Sequence, residues 1–191
     1  MKTYRNNQCA IDNIKVAGWL TALLCTLAGL AYLNGYRFNA SHSYPPGLYQ
    51  LEAYAYSYKA GNLVLFCPPN NNAISTAIER GYLDAGRCKS GSVPIIKRIA
   101  AIGHDRVTLN GFIHVNGHPL PHTTVLTEDS EHRPLRPFTL KGQQHFVLPP
   151  ETVFVYSDYA PETSFDSRYF GLVAVKDIQG IIKPIWTTAT H

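Results

Sequence analysis

Val16-Ala17-Gly18-Trp19-Leu20-Thr21-Ala22-Leu23-Leu24-Cys25-Thr26-Leu27-Ala28-Gly29-Leu30-Ala31-Tyr32-Leu33-Asn34-Gly35-Tyr36 is a run of 21 residues without a charge, bracketed by Lys15 and Arg37. At a helical rise of ~1.5 Å per residue it reaches about 30 Å, the thickness of a bilayer's hydrocarbon core. Trp19 near one end and Tyr32 and Tyr36 near the other suit the aromatic belts of the two interfaces. A cleaved signal peptide has an apolar region of roughly 7–15 residues that ends at a small-residue site. This run is longer, and no such site follows it. Cys25 lies mid-span behind Leu24, where a lipoprotein-type anchor needs a small residue. The reading is one retained transmembrane helix at residues 16–36.

The flanks orient it. Lys2, Arg5 and Lys15 against Asp12 place a tail of residues 1–15 in the cytoplasm, because positive charge is retained on that side. The expected topology is a single pass through the inner membrane, with residues 37–191 forming a domain in the periplasm. That compartment is oxidising, so Cys67 and Cys88, which bracket a polar insertion at 67–88, could pair as a disulfide. Two free thiols are the alternative. Cys9 and Cys25 fall on the wrong side or in the membrane and cannot join them.

Composition narrows the functional classes. The 191 residues are 45% hydrophobic and 16% charged, with 17 Lys+Arg against 13 Asp+Glu. Such a chain is neither disordered nor a multi-span membrane protein. An excess of four positive charges with no basic block argues against a nucleic-acid partner. Setting aside the tail leaves 14 Lys+Arg against 12 Asp+Glu from Arg37 onward, so half of the net charge belongs to the segment that sets topology.

Beyond the span, short apolar and β-branched runs alternate with Gly, Pro and Asn turns. Candidate strands are 47–52, 63–66, 94–102, 106–109, 112–115, 144–147, 153–157, 172–175 and 178–184, and only the region around 74–83 looks helical. Asn110-Gly111 and Asn116-Gly117 are turn signals, the first between two β-rich runs and hence a hairpin. The exported domain therefore reads as mainly β.

Its chemistry is sought among nucleophiles and bases. His114, His118 and His122 are spaced as one face of a helix, as a zinc site often needs, but Asn116, Gly117, Pro119 and Pro121 make a helix there implausible. No metal site and no cofactor are expected. A Ser-His-Asp hydrolase is compatible with the composition, yet there is no G-x-S-x-G elbow. Three other segments stand out. Asn39-Ala40-Ser41-His42-Ser43-Tyr44-Pro45-Pro46-Gly47-Leu48-Tyr49 follows the span, Ile95-Ile96-Lys97-Arg98-Ile99-Ala100-Ala101-Ile102-Gly103-His104-Asp105 comes mid-chain, and Ser164-Phe165-Asp166-Ser167-Arg168-Tyr169-Phe170-Gly171 lies near the C-terminus. A serine needs a base to take its proton. Lysine can serve only when burial lowers its pKa, and Lys97 sits in a run that would be apolar on both faces of a strand.

These segments resemble the signal peptidase I family, and within it the conjugal-transfer pilin peptidase (TraF-like) branch. Ser43, Pro45, Gly47 and Tyr49 match its S-x-P-x-G-x-Y motif. Lys97 and Arg98 match the lysine segment, and Ser164 through Gly171 match S-x-D-S-R-Y-[FW]-G. The resemblance implies a signal-peptidase-like domain of antiparallel β-sheets behind one transmembrane helix, and an endopeptidase with a Ser/Lys dyad. It implies Ser43 as nucleophile, Lys97 as general base, the Ser43 N–H and Ser41 hydroxyl as oxyanion hole, Ser164 orienting the base, and Asp166 with Arg168 as a structural ion pair. Only about six residues separate Arg37 from Ser43, so membrane-tethered polypeptides are the expected substrates: a conjugative pilin, sometimes cyclised, or other preproteins of a general signal peptidase. A catalytically silent envelope module is the remaining alternative; it would be expected to lose Ser43 or Lys97. Two departures from the family pattern, Gly61-Asn62 and the inserted His104 in Gly103-His104-Asp105, fall on turns.

Overall fold

The structure, a computed structural model, describes residues 2–41, 43–52 and 57–188, and within the first helix it describes side chains from Ile14 onward. The chain divides into two compact units, residues 1–37 and 38–191.

In the first unit, helix α1 (Lys2–Leu33) runs back through the expected tail. Its Ile14–Leu33 portion is long and apolar enough to cross a membrane, and none of it is buried in the protein. The helix ends three residues before the expected limit of the span, since Gly35 takes φ 85° and its N–H turns back to the Tyr32 carbonyl at 3.1 Å. A left-handed glycine is a common helix terminator. Arg37 then covers the Tyr32 ring at 3.8 Å. The side chains of Lys2, Arg5 and Asp12, on which with Lys15 the orientation rests, lie outside the described residues, as does that of Cys9.

The second unit is built mainly of antiparallel sheet. Its seven-stranded sheet has the order β1 (Tyr36–Asn39), β2 (Gly47–Glu52), β11 (Ile178–Thr187), β3 (Leu63–Phe66), β4 (Ile95–Ile102), β9 (Thr152–Tyr156), β10 (Val173–Ala174). A four-stranded sheet is ordered β7 (His118–Pro119), β6 (Phe112–Val115), β5 (Arg106–Asn110), β8 (His145–Val147). The two short helices are α2 (Asn72–Glu79) and α3 (Ser167–Phe170). The period-2 pattern sorts residues between the faces of the large sheet. Val64, Phe66 and Ile99 pack with Val153, Val155 and Phe170 on one side, while Leu63, Leu65 and Ile96 pack with Tyr44, Tyr49 and Ile182 on the other. Burial on both faces is why the β3 and β4 segments are nearly continuous apolar runs.

Both Asn-Gly pairs make hairpins. Asn110-Gly111 joins β5 to β6, and Asn116-Gly117, with φ 52° and 86°, joins β6 to β7. Two positive φ values in succession characterise the two-residue turn that best fits strand twist. Two strands go beyond the sequence reading: β1, of which only Tyr36 falls in the expected span, and the two-residue β7, whose proline argues against a strand.

Gly47 opens β2 opposite Thr187 of β11. It has φ 151°, and a Cβ there would lie 2.2 Å from the Trp186 carbonyl oxygen, a backbone atom that cannot swing aside. Gly47→Ala is expected to destabilise the folded domain by at least about 2–3 kcal/mol through overlap and backbone strain. An unchanged denaturation midpoint in urea would contradict that account.

Candidate active site

Lys97 is the third residue of β4, opposite Val64 of β3, and is 1% exposed. A strand this apolar carries its one interior lysine into the core. Its ammonium donates to the Ser164 hydroxyl. Burial lowers the Lys97 pKa to about 8, the nearby Asp166 carboxylate opposes this and the Arg168 guanidinium assists it. At neutral pH the amine is thus far closer to neutrality than an ordinary lysine.

The third motif builds the floor beneath that amine. Asp166 caps α3, accepting from the Arg168 N–H at 3.1 Å, and its two oxygens are gripped by Arg168 Nε and Nη2 at 2.8 Å each. Both side chains are fully buried. Nη1 donates to the Thr124 carbonyl at 2.6 Å, and Nη2 is shared with the carbonyls of Pro161 at 2.6 Å and Ser164 at 3.0 Å. Arg168 therefore fixes the backbone of the residue that meets Lys97. It also engages the Asp166 carboxylate and offsets the upward pull of that charge on the Lys97 pKa. Ser167 Oγ accepts from the Val155 N–H at 3.0 Å and so pins α3 to β9.

Ser43 lies half-buried in the loop between β1 and β2. Asn39 shapes this loop, its amide donating to the carbonyls of Tyr44 at 3.0 Å and Pro45 at 3.2 Å while its oxygen accepts from the Ser41 N–H and hydroxyl. Tyr49 donates to the Pro45 carbonyl at 2.7 Å, which gives the motif's proline and tyrosine a joint role. Ser41 is exposed, and its hydroxyl is engaged by Asn39 at 2.8 Å. The hydrogen bond that Lys97 makes is to Ser164, whereas Ser43 is held through its carbonyl, which accepts from Ser157 Oγ at 2.7 Å. Arg98 faces Tyr156 across β4 and β9, so the same register carried one residue further brings Ser157 abreast of Lys97. Ser157 and Asp158 were missed from the sequence, and Asn39 opened the nucleophile segment without a role of its own. An asparagine two residues before a serine is an Asx-turn signal that could have found Asn39.

Comparison with known proteins identifies the family of the chain. The model of the family described as "Signal peptidase, peptidase S26" matches residues 12–187. The chain belongs to this signal peptidase family. Among curated proteins it is similar to the conjugal transfer protein TraF of Agrobacterium fabrum, with 37% identity over 95% of this chain and 98% of that one. It is also similar to a plasmid transfer protein TraF of Escherichia coli, 36% identical over 84% of this chain and 88% of that one. A crystal structure of a signal peptidase I from Enterococcus faecalis aligns with a TM-score of 0.39 and 21% identity, covering 65% of this chain and 96% of that chain.

On this signal peptidase frame the insertion is closed by a disulfide. Cys67 and Cys88 are bonded, their Cα atoms 5.5 Å apart and 21 residues apart in sequence. A loop of that length contributes about 3 kcal/mol by the chain-entropy estimate. Inside it, Asn71 caps α2 and donates to the Phe170 carbonyl at 3.0 Å, fastening the insertion to the end of α3. The helix is shorter than the expected 74–83, ending as the chain turns at Gly81, which has φ 74°. Both departures from the family pattern fall on turns. Asn62 Oδ1 accepts from the Lys59 N–H at 2.9 Å, and His104 adopts φ 74°, which lets Asp105 accept from the Ile102 N–H at 2.9 Å. His114 and His118 lie on the separate strands β6 and β7, and His122 follows at a positive φ.

Proposed function

We propose that this chain is a membrane-anchored serine endopeptidase whose Ser43/Lys97 dyad removes signal or pro-segments from exported polypeptides, a conjugative pilin foremost. The observation that carries the reading is Lys97: a fully buried amine with a lowered pKa, bonded to a serine and not to a carboxylate. The tether from Ser43 through Ser157 toward the same part of β4 supports Ser43 as its partner. The conjugal-transfer names of the relatives favour a pilin substrate. The length of α1 suits an inner-membrane anchor, with the N-terminus in the cytoplasm, the catalytic domain in the periplasm, and the bilayer and a membrane-tethered preprotein as partners.

In this mechanism neutral Lys97 takes the Ser43 proton as Oγ attacks the scissile carbonyl. The Ser43 N–H and the Ser41 hydroxyl, turning from Asn39, stabilise the oxyanion, and Ser164 keeps the amine aimed. The carbon–nitrogen bond then breaks, with Lys97 returning the proton to the leaving amine. The acyl-enzyme is released by water, or by an amine of the cleaved chain, which yields a cyclic product with no added residue.

The test is cleavage of a membrane-tethered pilin precursor with an Ala-x-Ala site by the full-length chain in detergent. Below its pKa the neutral fraction of Lys97 rises tenfold per pH unit, so kcat/KM should climb steeply toward about pH 8 and then level off. Precursor left uncut at every pH would overturn the proposal, and a flat profile below about pH 8 would remove Lys97 from the role of base.

A further inference from the structure

The loop that holds Ser43 is shaped internally by Asn39, but its placement against β4 has a separate cause. Tyr44, the next residue, is 4% exposed, and its hydroxyl donates to Asp158 Oδ1. The other oxygen of Asp158 accepts from Arg98 Nε, and Arg98 adjoins Lys97 on β4. Arg98 also donates to the Gly61 carbonyl at 2.6 Å, which anchors its far end. The neighbouring Ser157 accepts from the Ala160 N–H at 3.0 Å, leaving its own proton for the Ser43 carbonyl. Two consecutive residues past the end of β9 thus grip two consecutive residues of the nucleophile loop. Their strand is locked in register to the one that carries the base.

Resting on the reading of Ser43 and Lys97 as a dyad, we infer that the Tyr44–Asp158–Arg98 bridge is a positioning device that sets Ser43 against Lys97. Tyr44 and Asp158 are positioning residues, not catalytic ones. Burial, then the hydrogen bond and charge of Asp158, raise the Tyr44 pKa, so its hydroxyl stays a donor wherever the enzyme works. Small displacements of a nucleophile can lower a rate by about 100-fold, which sets the scale of the expected effect.

The experiment measures covalent labelling of Ser43 by a fluorophosphonate on the full-length chain in detergent, with the modified residue located by peptide mass. Tyr44→Phe and Asp158→Asn should each lower the maximal labelling rate by about 10–100-fold. The half-saturating probe concentration and the pH midpoint should stay at wild-type values. The double variant should be no slower than the slower single one, since both cut the same bridge. A wild-type rate in Tyr44→Phe, or losses that multiply in the double variant, would overturn the inference. Failure of the dyad itself looks different: wild type unlabelled at Ser43, or Lys97→Ala labelled at full rate, and either result would remove the bridge's role as well. Should Tyr44→Phe not fold, Asp158→Asn carries the same test.

Discussion

Cleavage of the tethered precursor is expected to fall by about 10⁴-fold or more in Ser43→Ala and in Lys97→Met, with the double variant no worse than either single one. The dyad acts as a unit, so removing one partner removes the step. Methionine is chosen because it keeps the volume of a side chain that is 1% exposed while deleting the amine. It also separates catalysis from stability. The folded-state pKa of Lys97, about 8, lies below the ordinary lysine value of 10.5. The folded state therefore disfavours the charged amine, and the penalty is full below about pH 8 and fades between there and about 10.5. A lowering of this size corresponds to roughly 3 kcal/mol. Lys97→Met should therefore be inactive yet more stable than wild type at neutral pH, with the gain shrinking as pH rises through that window. Retention of more than about 1% of the wild-type rate by either single variant would sink the dyad, because a structural serine or lysine tolerates such changes.

What the residues made legible, and what they did not, divides along a physical line. The β4 and β3 segments could be read because burial on both faces leaves a nearly continuous apolar run, and Lys97 stood out against it. The Asn-Gly turns were readable because their backbone angles favour those two residues. Ser164 through Gly171 were located by the motif, but the short α3 they form was not, since its four residues carry no helical period. Nor could spacing show that Arg168 reaches carbonyls as distant in sequence as that of Thr124. The bridge from Tyr44 to Asp158 spans 114 residues and depends on strand register, which no local pattern encodes. The same holds for Ser157 and the Ser43 carbonyl. The roles of Ser43 and Ser41 rest on the order of the motifs, and that of Lys97 on its apolar run as well.

Arg168→Met is expected to damage the fold more than any other single change to the site. The guanidinium is buried with Asp166 and binds three backbone carbonyls besides. Its loss strands a fully buried carboxylate, a situation that destabilises proteins by about 3–5 kcal/mol. Lysine should not rescue it, since one ammonium cannot reproduce the two-pronged grip on Asp166 and the contacts to the carbonyls of Pro161, Ser164 and Thr124. Removing both charges in Asp166→Asn with Arg168→Met should be milder than Arg168→Met alone, because the buried charge has gone. Urea denaturation measures both effects, and an Arg168→Met variant within about 1 kcal/mol of wild type would contradict the account. The pair also acts on the base at a distance. Asp166 raises the Lys97 pKa and Arg168 lowers it, so Asp166→Asn, if folded, should move the rise of activity to lower pH. A pH profile that stays in place in that variant would mean that the pair holds Ser164 without setting the charge of Lys97. The scaffold and the electrostatics of this site would then be separable, although the same two side chains are the candidates for both.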